Sequence, residues 1–245
     1  MQRLIFEDLL QWKTSPRRKP LILNGARQVG KTWILKHFGQ MHYDNVAYIN
    51  CDKESLAVKL FEDYDVKRII QAIEAMTNTQ IIAGKTLIII DEIQEVPRGL
   101  HALKYFAESA PEQHIAVAGS LLGLLLHQGE SFPVGKVNML QMHPMTFLEF
   151  LKAIGEDKIC EQLSNREWSV MNTVHEKIVQ HLRMYLYVGG MPEAVQAYCD
   201  NVPLREIRSI HNEILTAYIN DLSKHAPKEQ AVRITQGFRA VPAQI

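Results

Sequence analysis

The chain has 245 residues, enough to bury a substantial core in one large or two modest domains. It is 47% hydrophobic and 22% charged with a formal net charge of +0, an ordinary globular balance that calls for neither a nucleic-acid nor an anionic-membrane partner. Its three widely spaced cysteines, Cys51, Cys160 and Cys199, form no Cys-x-x-Cys pair, which argues against a zinc site or a disulfide framework and for reduced thiols.

Glu7 and Asp8 fall where a signal peptide would continue its apolar core, and the longest apolar runs are far short of a membrane span, so a cytoplasmic protein is expected. Leu4 to Trp12 reads as a short amphipathic helix with Leu4, Ile5, Leu9 and Trp12 on one face. Residues 14–20 then break it with two prolines and a basic turn, Arg17-Arg18-Lys19. That turn is either a solvated connection or a source of positive charge near a ligand. Leu21-Ile22-Leu23 is a buried strand, and Trp33 to Phe38 has helical spacing that ends at Gly39.

Between them lies Gly25-Ala26-Arg27-Gln28-Val29-Gly30-Lys31-Thr32, which fits the phosphate-binding pattern G-x-x-x-x-G-K-[ST]. Two glycines allow successive N–H groups to turn inward toward phosphate oxygens, and the helix that follows adds its own unpaired N–H groups. Lys31 is the mobile charge for the β- and γ-phosphates, and Thr32 offers a hydroxyl to Mg²⁺. Residues 25–33, from Gly25 through Trp33, are the candidate nucleotide contacts.

Asn45 to Asn50 is a second strand, and Leu56 to Met76 reads as helix. Leu87-Ile88-Ile89-Ile90 runs unbroken, as in a parallel strand buried on both faces, and ends in Asp91-Glu92. A carboxylate there can hold Mg²⁺ opposite the phosphate loop, the place of Asp91. Glu92, one residue on, is suited to orient and deprotonate the attacking water. Leu100 to Ser109 is helical, and Ile115 to Ser120 is a fourth strand. Ser120 at its carboxyl end is placed either to bond the γ-phosphate or the attacking water, or to cap a helix over Leu121–Leu126. Val137 to Met142 is a fifth strand, and a helix capped by Thr146 or an earlier residue follows.

From Ile154-Gly155 onward the pattern is helical: Val174 to Tyr187, a stop at Gly189-Gly190, a restart at Pro192, then Glu206 to Leu222 and Glu229 to Phe238. The expected division is residues 1–155 as a nucleotide-binding core and 156–245 as a helical region. The apolar end, Val241 to Ile245, reads as a chain cut in mid-element.

In order, Gly-Ala-Arg-Gln-Val-Gly-Lys-Thr, Ile-Ile-Ile-Asp-Glu-Ile-Gln, Ala-Gly-Ser, His-Pro-Met-Thr-Phe-Leu-Glu-Phe-Leu and Gly-Gly-Met-Pro-Glu-Ala-Val resemble the bacterial and archaeal AAA-type P-loop ATPases that usually carry a C-terminal domain of unknown function. The resemblance runs from about Leu4 to the last residue. It implies an α/β fold of the P-loop (ASCE) class: three αβα layers, a parallel sheet ordered 5-1-4-3-2, and a helical lid. It also implies ATP with Mg²⁺. By position Lys31, Thr32, Asp91, Glu92 and Ser120 take the roles given above, Ser120 as the polar sensor on the fourth strand. Related sequences often have Gly-Arg where this chain has Gly135-Lys136, so a finger acting between subunits of a homo-oligomer would here lack the planar fork of arginine.

The expected function is an ATPase, weak in isolation, that acts as a switch or motor on an unknown protein or nucleic-acid target. The alternative is a nucleotide-dependent binding module with little hydrolysis. A kinase would usually lack the Asp-Glu pair at the strand end. A GTPase would need Asn-Lys-x-Asp, which does not occur.

Overall fold

The structure, a computed structural model, describes residues 2–53, 57–119, 133, 135–225 and 228–241. Its contacts divide it into two compact units, Gln2–Pro144 and Met145–Ile245.

The first unit is built on a five-stranded parallel sheet: β1 Leu21–Gly25, β2 Asn45–Asn50, β3 Thr86–Asp91, β4 His114–Gly119 and β5 Asn138–Met142, in spatial order β2-β3-β4-β1-β5. Read from the other edge this is the expected 5-1-4-3-2. β3 and β4 are buried at every position, which is why they read as unbroken apolar runs. Alternation sorts their side chains into two layers. Ile22, Ala47, Ile49, Ile88, Ile90, Ile115 and Val117 join a core with α4 (Val66–Thr77) and α5 (Gly99–Ser109). The opposite set, including Val46 and Leu87, faces α2 (Lys31–His42), where α1 (Ile5–Thr14) also packs.

Two expectations change. Gly39 does not end α2, which runs on to His42. A Cβ at Gly39 would lie 2.6 Å from Cγ2 of Val46, so glycine serves here as a gap through which the helix approaches the sheet. The helix expected over Leu56–Met76 is instead α3 (Ala57–Leu60) and α4, separated by a turn. Asp65 starts α4 by accepting the backbone N–H groups of Lys67 and Arg68.

His114 opens β4 almost fully buried, its Nδ1 hydrogen-bonded with the hydroxyl of Tyr43 at 2.6 Å. Burial, with the repulsion of Arg18 and Lys13, pushes the imidazole down to about 4.

The second unit has its own cores. Met145, Phe150, Val188, Val195 and Ile207 form one, and Leu151, Ile159 and Cys160 another. Its elements are α6 (Phe147–Ala153), α7 (Asp157–Asn165), α8 (Trp168–Thr173), α9 (His175–Val188), α10 (Pro192–Cys199), α11 (Leu204–His225) and α12 (Lys228–Ala240). Thr146 starts α6 through a capping box with Glu149, and Pro192 opens α10 at its first turn. Gly190 sits where a Cβ would come 2.3 Å from the Met145 carbonyl oxygen, which also accepts the Tyr185 hydroxyl at 2.8 Å.

The folded His114 titrates below its unfolded value of 6.5, so on acidification the unfolded chain takes up this proton first. Its contribution to stability is present above pH 6.5 and lost as the pH falls toward 4. The melting temperature is expected to drop across that window, and to drop less in His114→Gln, as followed by circular dichroism.

Candidate functional site

Parallel register brings the carboxyl ends of the strands to one edge: Gly25 pairs with Met142, Asn24 with Gly119, and Asp91 with both Ala118 and Asn50. The glycine-framed loop leaves β1 at this edge. Gly25 must be glycine, since a Cβ there would lie 2.3 Å from the Met142 carbonyl oxygen. Gln28 (φ 62) and Gly30 (φ 95) turn the backbone through the left-handed region before α2 begins. Gly30 caps α2 with no side chain, and no acid stands in its first turn, so nothing on the helix competes with an anion for its leading N–H groups.

Lys31 is buried, and its ammonium donates to the carbonyls of Gly25 (2.8 Å) and Ala26 (2.7 Å). Burial lowers its pKa, an effect that Glu92 and Asp91 oppose. The side chain is thus already folded over the loop that a phosphate would occupy. Two of its three donors are used on carbonyls.

Thr32 donates its hydroxyl hydrogen to Oδ2 of Asp91 at 2.7 Å. Its oxygen lone pairs remain for a cation. This donor set, one hydroxyl beside one carboxylate, fits Mg²⁺, which keeps most of its waters and takes few protein oxygens. Among the described residues no cluster of three or more His, Cys, Asp or Glu is arranged to hold a metal. Asp91 is 3% exposed; its Oδ1 accepts the backbone N–H of Glu92 at 3.2 Å, and its Oδ2 also accepts the Tyr48 hydroxyl at 3.1 Å. Burial, reinforced by Asp91, holds the Tyr48 phenol above its ordinary value, so it stays a donor.

Glu92 lies in left-handed backbone (φ 51) just past the strand, and Gln94 donates through Nε2 to its carboxylate. The chain therefore turns sharply where the catalytic carboxylate is expected. Val29 is fully buried under the loop, while Ala26 and Gln28 are exposed along it. Trp33 is 48% exposed and stacks on His37 with ring centroids 4.8 Å apart. Ser120 and the segment Leu121–Leu126 lie outside the described residues.

Lys136 is not at this edge. It precedes β5, whose first residue pairs with Leu21 at the start of β1, and its ammonium meets Glu108 near the end of α5 at 2.9 Å. The length of β1 separates it from its own phosphate loop. Arg18 and Lys19 are at that opposite edge too, donating to the carbonyls of Pro111 and Gly135. The basic turn is a structural connection.

Sequence patterns gave no sign of three contributors: Tyr48, Gln94 and Arg3. The Arg3 guanidinium donates to the Val29 carbonyl at 2.9 Å and the His143 carbonyl at 2.6 Å, tying the phosphate loop to the chain beyond β5. Nothing at position 3 marks this, because both acceptors are backbone atoms 26 and 140 residues away.

Residues 17–151 match the AAA domain family, and residues 179–245 match a domain of unknown function. A Walker-type ATPase of Pyrococcus abyssi superposes with a TM-score of 0.54 at 17% identity, over 93% of this chain and 77% of that one. The ORC1 protein of Aeropyrum pernix, solved in complex with DNA, gives 0.42 at 13% identity, over 91% of this chain and 66% of that one. At 17% identity the likeness to the first is one of fold. No curated protein matches the chain in sequence.

Arg3→Ala removes two charge-assisted bonds, the one to the buried Val29 carbonyl worth about 1.5–3 kcal/mol. It is expected to lower the melting temperature and to weaken nucleotide binding, both read in one thermal-shift titration with ATP. Arg3→Lys should recover only part of either, since an ammonium lacks the fork that reaches two carbonyls.

Proposed function

Because the chain belongs to the AAA domain family, and so carries an AAA-type P-loop ATPase domain, we propose that it binds ATP with Mg²⁺ and hydrolyses it to ADP and phosphate, using the cycle as a switch on a protein or nucleic-acid target. The observation that supports this most is the Thr32–Asp91 hydrogen bond, which joins the phosphate loop to the acidic end of β3. Residues 25–33 are the nucleotide contacts. Lys31 exchanges its carbonyl partners for phosphate oxygens, and Thr32 and Asp91 hold the metal. When bound, Mg²⁺ supplies charge that offsets the growing negative charge on the phosphates.

Glu92 acts as the base. It takes a proton from the water whose oxygen bonds to the γ-phosphorus as the bond from that phosphorus to the ADP oxygen breaks. By its place in the sequence, directly after β4, Ser120 is the polar sensor for the γ-phosphate. Residues 1–155 form the ATPase core and 156–245 the helical lid region. Cytoplasmic residence agrees with the free thiols of Cys51, Cys160 and Cys199, and among the described residues no helix is long and apolar enough to cross a membrane.

One observation favours the slower alternative, a binding module that hydrolyses rarely. Gln94 donates to Oε2 of the Glu92 carboxylate, which takes one of its acceptor sites and restrains the side chain from turning toward an attacking water.

Lys31→Ala is expected to weaken ATP binding by at least tenfold in calorimetry while the chain still melts cooperatively. Unchanged affinity would remove the phosphate assignment. Glu92→Gln is expected to bind ATP as the parent does and to release phosphate roughly 100-fold more slowly. Parental turnover in that variant would place the base elsewhere.

A further inference from the structure

Tyr48 belongs to the edge strand β2, yet its hydroxyl ends at the centre of the site. The register explains how. Tyr48 pairs with Ile89, two residues before Asp91, so both side chains stand on the same face of the sheet, the face covered by α2. A residue and the diagonal neighbour two places along the partner strand are within reach of a long aromatic side chain. The phenol spans that diagonal and donates to Oδ2 of Asp91, the oxygen that also takes the Thr32 hydrogen.

The ring is fixed on its other flank. Lys36, one helical turn beyond Thr32 on α2, places its ammonium 3.3 Å from the ring centroid, a close cation–π contact. Asn50 donates through Nδ2 to the phenol oxygen at 3.3 Å. The hydroxyl therefore accepts from Asn50 while its hydrogen is directed at Asp91.

We infer that Tyr48 is a positioning residue for metal binding: its hydroxyl, set by Asn50 and Lys36, holds the Asp91 carboxylate in one orientation beside Thr32, so that Mg²⁺ with nucleotide meets a preset oxygen. Three donors converge on this carboxylate: the Glu92 N–H on Oδ1, and Thr32 and Tyr48 on Oδ2. Two of them, Thr32 and the backbone, belong to the loop and the strand themselves. Tyr48 is the one supplied by a neighbouring strand, and it restrains rotation of the carboxylate about its own bond. A carboxylate free to turn would bind the hydrated cation with an added entropic cost.

The inference rests on Asp91 as the metal-side carboxylate, and the test separates the two. Affinity of the full chain for a non-hydrolysable ATP analogue is titrated against Mg²⁺ by calorimetry in the parent, Tyr48→Phe, Asp91→Asn and the double variant. Tyr48→Phe keeps the ring and its Lys36 contact and removes only the hydroxyl. It is expected to raise the Mg²⁺ concentration for half-maximal effect roughly fivefold to tenfold, with metal-free affinity unchanged and cooperative unfolding retained at a somewhat lower melting temperature. In the Asp91→Asn background the same change should shift nothing further.

A Tyr48→Phe midpoint equal to the parent's, with Asp91→Asn shifted, overturns the positioning role and leaves the metal assignment standing. Equal loss of affinity with and without Mg²⁺, or an unfolded Tyr48→Phe, makes Tyr48 a packing residue and also overturns it. Parental binding indifferent to Mg²⁺ overturns both readings.

Discussion

A carboxylate at 3% exposure has to be satisfied by its surroundings, and Asp91 organises this structure because of it. Leaving an ionised group buried without hydrogen bonds costs several kcal/mol, on the order of a domain's whole stability. Asp91 takes donors from three directions: Thr32 at the start of α2, Tyr48 on β2, and its own following N–H. Each bond has a geometric consequence. The first draws the phosphate loop against β3, 59 residues away along the chain. The second brings the edge strand into the site. The third accompanies the left-handed turn at Glu92, which carries the chain away from the sheet.

The loop itself is held by backbone rather than by side chains of its own. Gly25 lies against the Met142 carbonyl with no room for a Cβ, Lys31 reaches back to two carbonyls, and Arg3 clamps a third, that of Val29. A loop whose carbonyls are drawn down by cations presents its N–H groups on the other side. That arrangement suits an anion, and it is prepared before the anion arrives. The buried lysine and arginine are tolerated because each finds carbonyl acceptors, so their desolvation is offset within the loop.

The helical unit follows a different logic. Among its described residues no sheet imposes register, and its anchoring contact is a tight crossing of two backbone segments. Met145 donates to the Gly190 carbonyl and accepts at its own carbonyl from Tyr185, while the missing side chain of Gly190 permits the approach. The capping box of Thr146 and Glu149 begins α6 directly beside this point. Here local sequence signals and tertiary contact fall on adjacent residues.

The chain's order of residues was sufficient for whatever depends on spacing within one segment. Gly25, Gly30, Lys31 and Thr32 are recognisable because a phosphate needs N–H groups, a charge and a hydroxyl within eight residues. Leu87 to Asp91 is recognisable because a strand buried on both faces leaves an unbroken apolar run. Thr146 and Pro192 are helix starts for reasons that act within one turn. What required the tertiary structure is whatever depends on which strands lie side by side. Tyr48 became part of the site only when β2 paired with β3, and Arg3 only when the chain beyond β5 came level with the loop. Gly39 reads as a helix stop until Val46 is seen beneath it, and Lys136 reads as lying near its own site or a neighbour's until β5 is paired with β1, which places it away from its own phosphate loop. An alternating or helical pattern records which face of an element is buried. It carries no record of the residue that the buried face will meet, because that partner is chosen by packing among segments far apart in sequence.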